Sequence, residues 1–343
     1  MTGSYTALIT PFSDGAVDYE GLSRLVDFQI ENGITGLLAV GTTGESPSLT
    51  WNEHNTLIES VIKKAKGECF CIAGTGSNNT KEAIEATKHA VDAGADAVLL
   101  VDPYYNGPSS LEIRREYIAP VAKAFPDVQV VPYIIPGRTG TQLLPEDLAF
   151  LSREFKNVST VKEATGNIEN MRRTRECCVP DFTILSGDDG MTFKMMADPG
   201  VRASGVISVA SNIAPGAVAD MVRLFSEGDT EAAQKIADAL APLFGIIMVK
   251  TTETSSYGDV MFRARNPLPA KALMSVLGMP SGGCRQPLGK LTQNALETVL
   301  SAARKVNKKN PEIFRPLADF FEVNIEERLN TPANWEGLCY KAY

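Results

Sequence analysis

The 343-residue chain is poor in the residues that most often betray a metal or redox site: it has two histidines, two tryptophans and six cysteines. His54 and His89 fall inside helical patterns and form no ligand-spaced pair, and SGDD lacks the other features of a metal site, so no metal is expected. Asp188 and Asp189 read instead as a turn and a helix N-cap. Cys69, Cys71, Cys177, Cys178, Cys284 and Cys339 contain no CxxC pair and are too sparse for a disulfide scaffold, so they are expected as reduced thiols. Basic charge is also short. With 33 Lys+Arg against 41 Asp+Glu the net charge is -8, which leaves no footprint for nucleic acid or an anionic membrane. No segment approaches about 18 uninterrupted apolar residues, and MTGSYTALITPF lacks the basic-then-apolar plan of a targeting segment; a soluble cytoplasmic protein is the expectation.

What the chain does have is alternation. Eight β-prone runs, YTALIT (5–10), TGLLAV (35–40), FCIAG (70–74), AVLLV (97–101), VQVVPYI (128–134), VSTVK (158–162), FTILS (182–186) and ASGVISV (203–209), are separated by segments whose apolar residues recur at three and four. Strand-helix alternation implies right-handed parallel units, and eight of them fit a closed (β/α)₈ TIM barrel, preferred here over a doubly wound sheet. Residues 1–225 are assigned to the barrel, 226–305 to a C-terminal helical module, and 306–343 to an additional extension. KTTETSSYGDVMFRARN, from residue 250 to 266, shows no clear period and reads as a loop. The last stretch, rich in aromatics, charges and prolines, is open to packing on its own subunit, covering a neighbour or running out as a tail.

In such a barrel, chemistry gathers where the strands end. Lys162 ends the sixth run in NVSTVKEATGN. An enclosed lysine loses hydration, its pKa falls, and the free amine can attack a carbonyl to give an imine, which would turn a 2-keto acid such as pyruvate into a carbon nucleophile. A salt bridge, an anion clamp or a snorkelling surface lysine are the alternatives. Glu163 beside it faces the other way along a strand, so adjacency shows no pair. Tyr133 can relay a proton with Thr42 and Tyr105, or be a packed aromatic. Arg138, after a Pro-Gly turn, offers a fork for a carboxylate, or an ordinary loop ion pair. Thr42 and Thr43 in GTTGE read as hydroxyl and amide donors to a small carboxylate, or as helix caps, with Ser48 and Thr50 also available to cap. Neither GTTGE nor GTGSNN has a dinucleotide or P-loop pattern, and no cofactor is expected.

GTTGES (41–46), DPYYN (102–106), PGRTG (136–140), KEATG (162–166), SGDD (186–189) and GVISV (205–209), in this order on successive strand ends, closely resemble the dihydrodipicolinate synthase family over roughly residues 4 to 305. The wider family shares its barrel and imine-forming lysine with N-acetylneuraminate lyase and sugar-acid aldolases. The resemblance implies that Lys162 forms a Schiff base with pyruvate, that Thr42 and Thr43 hold its carboxylate, and that Gly187 and the backbone of Ile207 complete its pocket. It further implies that Tyr133 transfers protons through Thr42 and through a Tyr105 offered across a subunit boundary, while Arg138 takes the carboxylate of L-aspartate-4-semialdehyde. The same resemblance implies a homotetramer built as a dimer of dimers, and an inhibitory L-lysine site at Ser46, Trp51, His54, Asn78, Glu82 and Tyr104. Two departures stand out: Ile134 replaces the asparagine that usually follows the tyrosine, and Gln286 in GGCRQPL breaks the common RLPL form. Ile134 keeps open a pyruvate-dependent aldolase for another aldehyde; a catalytically weak small-molecule sensor is the reading from a different class.

Overall fold

The structure is a computed structural model describing residues Met1–Tyr343. Its central feature is a closed ring of eight parallel strands: β1 Gly3–Ala7, β2 Gly36–Ala39, β3 Phe70–Gly74, β4 Ala97–Val101, β5 Gln129–Ile134, β6 Thr160–Glu163, β7 Thr183–Ser186 and β8 Gly205–Ser208. Each strand neighbours the next in sequence, and β1 meets both β2 and β8 to close the barrel. The strands are short apolar runs because both of their faces are covered. In β4 the residues Ala97 to Leu100 are all buried, so the strand cannot alternate between apolar and polar. Gly205 shows why its position tolerates no side chain: its φ is +146°, and a Cβ there would collide with the backbone of Gly3 on β1.

The helices between strands are stopped and started by local chemistry. Thr80–Ala93 begins where the Asn79 side chain accepts the Lys81 N–H, and ends at Gly94 in a left-handed conformation whose N–H returns to Ala90 and Val91. Before Trp51–Ala65, Thr50 and Glu53 exchange backbone N–H groups for side-chain oxygens, the reciprocal arrangement of a capping box. Thr50 therefore takes the capping role.

The chain divides into two compact units. One comprises Met1–Tyr5, Thr35–Gly41 and His54–Ser208, and holds nearly all of the barrel; the other comprises Thr6–Ile34, Thr42–Glu53 and Val209–Tyr343. In the second unit, the stretch 250–266 expected as a loop lies almost wholly in an antiparallel hairpin: β9 Met248–Ser255 pairs with β10 Gly258–Arg265 in continuous register from Met248↔Arg265 to Ser255↔Gly258. The period was hidden because a carboxylate occupies the inward face. Glu253 is buried, where Thr251, Thr292 and Asn294 donate to it and hold its carboxyl below the usual range.

The helix Gln293–Lys309 runs without a break past residue 306, where the extension was expected to start. Beyond it, Arg315–Phe321 and Ile325–Asn330 are helical, and Phe314, Leu317, Phe321 and Leu329 are buried. Phe28, on Tyr19–Glu31, lies 5.3 Å from the Phe320 ring and 5.2 Å from that of Phe321. Phe314 and Phe321 thus serve their own unit's core, while Tyr340 and Tyr343 are exposed. All six cysteines are free thiols, and no helix is long and apolar enough to cross a membrane.

Candidate active site

Parallel pairing of β5 with β6 puts Tyr133 opposite Lys162 and Ile134 opposite Glu163. The pairing delivers the lysine to the tyrosine: Lys162 Nζ lies 4.2 Å from the centre of the Tyr133 ring, and both side chains are buried. Burial pushes the Lys162 pKa down to about 7, with Arg138 pushing the same way and the negative charge of Asp189 opposing. A primary amine in that range is substantially unprotonated near neutral pH, which is the state that attacks a carbonyl.

Asp189 is the residue that sequence reading left outside the site. Asp188 does cap the short turn Asp189–Met191 as expected, its side chain accepting the Gly190 N–H. Asp189 is buried instead, accepts a short hydrogen bond from the Ser208 hydroxyl at the end of β8, and acts electrostatically on Lys162. SGDD gave no sign of this, since its partners arrive from other strands. Gly187 follows β7 directly; a Cβ there would lie 3.1 Å from Lys162 Cε and Cγ, so the glycine keeps space open along the lysine stem. Ile207, on β8, is buried.

Glu163 does not pair with Lys162. Its Oε1 accepts the Thr165 N–H and its Oε2 the side-chain amide of Asn170, and burial raises its pKa. Arg138 is half-buried in the short helix Pro136–Thr139, close enough to Lys162 to act on its charge. Tyr105 is not brought to the lysine within this chain: it is 85% exposed, and its backbone N–H and that of Tyr104 both donate to Asn78 Oδ1.

In the second unit, the GTTGE turn is held by residues far along the chain. Thr43 Oγ1 accepts from Asn266 Nδ2 at 2.9 Å, and the Thr10 hydroxyl donates to the Gly44 carbonyl at 2.7 Å. Glu45, in a left-handed conformation, forms a buried ion pair with Lys271 at 2.7 Å, and Lys271 also donates to the carbonyls of Thr10 and Gly283. Thr42 accepts the Glu45 N–H on its carbonyl.

The six positions associated with L-lysine have different surroundings. His54 is buried, its Nε2 at 3.0 Å from the Gly74 carbonyl, and burial lowers its pKa. Glu82 accepts from the Ser77 hydroxyl, Asn78 holds the two tyrosine amides, and Trp51 and Tyr104 are exposed. Ser46 opens the turn Ser46–Ser48.

The model of the dihydrodipicolinate synthetase family matches residues 1–306. The chain belongs to that family. It is 40% identical over 306 residues to the 4-hydroxy-tetrahydrodipicolinate synthase of Methanococcus vannielii, covering 87% of this chain and 99% of that protein. It is 41% identical over 302 residues to the 4-hydroxy-tetrahydrodipicolinate synthase of Pelobacter propionicus, covering 88% and 97%. Among solved structures, the 4-hydroxy-tetrahydrodipicolinate synthase of Methylacidiphilum fumariolicum SolV superimposes with a TM-score of 0.83 at 35% identity, covering 92% of this chain and 99% of that one. The synthase of Cyanidioschyzon merolae with lysine bound gives 0.81 at 36% identity, covering 89% and 98%. Residues 307–343 lie beyond the family match.

Proposed function

We infer that the protein is a 4-hydroxy-tetrahydrodipicolinate synthase, a Schiff-base-forming lyase that condenses pyruvate with L-aspartate-4-semialdehyde on the route to diaminopimelate and L-lysine. The observation that carries the reading is the buried Lys162 amine, depressed to about 7, beside Tyr133 in a chain of this family. The amine attacks pyruvate C2, the keto oxygen leaves as water, and an iminium forms. Loss of a C3 proton, handled by Tyr133, gives the enamine. Its C3 attacks the aldehyde carbon of the second substrate, whose oxygen takes up a proton to become a hydroxyl. The substrate's amine then adds to the iminium carbon and closes the ring, and Lys162 departs as the amine it began as.

In this scheme Thr42 and Thr43 take the pyruvate carboxylate, Gly187 and the Ile207 backbone complete its pocket, and Arg138 takes the carboxylate of the semialdehyde. Support for the Arg138 role is its place in PGRTG and its electrostatic reach to Lys162. Tyr105, exposed on its own chain, is suited to completing the proton relay in a second copy, within a homotetramer assembled as a dimer of dimers. L-lysine binding at Ser46, Trp51, His54, Asn78, Glu82 and Tyr104 belongs to the same proposal, as does a cytoplasmic location.

The test has two stages. Borohydride reduction in the presence of pyruvate should leave a stable mass adduct on Lys162; its absence from folded enzyme sinks the reading. Turnover of aspartate semialdehyde against sugar-derived aldehydes then separates the synthase from the aldolase that Ile134 kept open, with preference for the semialdehyde expected.

A further inference from the structure

The segment that carries Arg138 is tied down on two sides by groups that take no part in the reaction above. One side is the exit of β4. Asp102 donates its backbone N–H to the Tyr133 carbonyl at 3.2 Å, its Oδ2 accepts the Leu143 N–H at 3.0 Å, and the Thr141 hydroxyl donates to the Pro103 carbonyl at 2.8 Å. The other side is the exit of β6. Glu163 holds the Asn170 amide at 3.2 Å, and Asn170 Oδ1 in turn accepts the Gln142 amide at 2.9 Å. Residues 141, 142 and 143 are therefore pinned one after another, to Pro103, Asn170 and Asp102.

Both carboxyls are fully buried, and Asp102 Oδ1 has no hydrogen-bond partner. Burial raises both pKa values, and the Glu163 charge adds to the rise at Asp102, which reaches about 7. Holding one amide does not require so costly a group, since a neutral acceptor would do it. Asp102 sits where it touches both the Tyr133 backbone and the segment after Arg138, so its placement couples these two elements.

We propose that Asp102 and Glu163 are positioning residues: they clamp residues 136–144 between the ends of β4 and β6, and so set the Arg138 fork for the carboxylate of the second substrate. The proposal rests on the function inferred above, and neither residue is asked to touch substrate. Its signature is a split between substrates, because the pyruvate imine forms on Lys162 before that fork is needed.

Asp102→Leu removes the acceptor for the Leu143 N–H, whereas Asp102→Asn keeps an amide oxygen there. Thr141→Val cuts a second tie while leaving every charge in place, and Glu163→Leu cuts the opposite side. In the full-length enzyme, Asp102→Leu, Thr141→Val and Glu163→Leu should each raise the KM for aspartate semialdehyde, by about tenfold in the first case. The KM for pyruvate and the yield of borohydride-trapped adduct should stay within about twofold, and Asp102→Asn should restore the aldehyde KM to within the same factor. Hydrogen exchange at the Leu143 amide should quicken in Asp102→Leu and not in Asp102→Asn. If Asp102→Leu does not fold, Thr141→Val and Asp102→Asn carry the test. Equal changes in both KM values, or an unchanged aldehyde KM in Thr141→Val and Asp102→Leu, overturn the proposal alone. A wild-type enzyme that forms no adduct sinks the functional reading, and this one with it.

Discussion

Tyr133 and Lys162 are register partners on adjacent parallel strands, and the pairing sets the lysine ammonium 4.2 Å from the centre of the tyrosine ring. Besides the charges of Asp189, which favours the cation, and Arg138, which opposes it, two effects compete there. The ring face favours the cation by about 2 kcal/mol when dry, while full burial disfavours it by up to about 3–5 pKa units, or roughly 4–7 kcal/mol. Burial wins, and the amine falls from 10.5 to about 7.

The first consequence is kinetic. Formation of the pyruvate imine should climb as pH rises through about 7 and level off above it, because only the free amine attacks. Initial rates of borohydride-trapped adduct between about pH 5.5 and pH 9 give the midpoint. A midpoint near the ordinary lysine value would show that the amine is not desolvated.

The second concerns stability. Below about 7 both folded and unfolded chains hold the Lys162 proton, so the full cost of burying the cation is present; between about 7 and 10.5 only the unfolded chain holds it, and stability rises with pH. Lys162→Met should therefore be more stable than wild type at about pH 6, by up to roughly 5 kcal/mol, since the fall from 10.5 to about 7 already includes the attraction to Asp189. Urea unfolding should show the gap closing toward about pH 10, and a gap that widens would reverse the sign of the argument.

The third lies in the Glu45–Lys271 pair, both members of which are at most 3% exposed. Lys271→Met leaves a buried carboxylate without its cation, though still accepting the Arg285 N–H, and strips two carbonyls of a donor, so it should cost about 3–5 kcal/mol. Adding Glu45→Gln should return part of that loss. Double-mutant analysis of denaturation midpoints measures the coupling, and independent losses would mean that the pair is not one unit.

The fourth bears on the C-terminal residues. Phe321→Ala removes a ring packed on Phe28 and should cost about 3–5 kcal/mol in unfolding free energy. A change under about 1 kcal/mol would mean that the aromatic cluster contributes little to the second unit.

The barrel was legible in the sequence because each strand is buried on both faces and reads as a bare apolar run, while each intervening helix keeps one apolar stripe. Lys162 and Tyr133 were legible for a related reason: a charged or phenolic residue closing an apolar strand has few places to go except the strand's end. Other features depend on distance along the chain. Asp189 meets Ser208 from another strand, and Lys271 meets Glu45 across 226 residues, so neither leaves a local pattern. The β9–β10 hairpin escaped because on β9 the inward positions after Val249 are Thr251 and Glu253, which break the apolar alternation that Val260, Phe262 and Ala264 keep on β10. The pinning of residues 141–143 was illegible too, since Asp102 and Asn170 become neighbours of that segment only when β4 and the helix Ile168–Cys177 stand on either side of it.

Gly187 shows how little room decides the chemistry. One methyl group at that position would lie 3.1 Å from two carbons of the lysine stem, so the stem would have to give way by a few tenths of an ångström. In the proposed reaction, any enlargement of residue 187 would take its volume from the space along the amine that a keto acid has to reach.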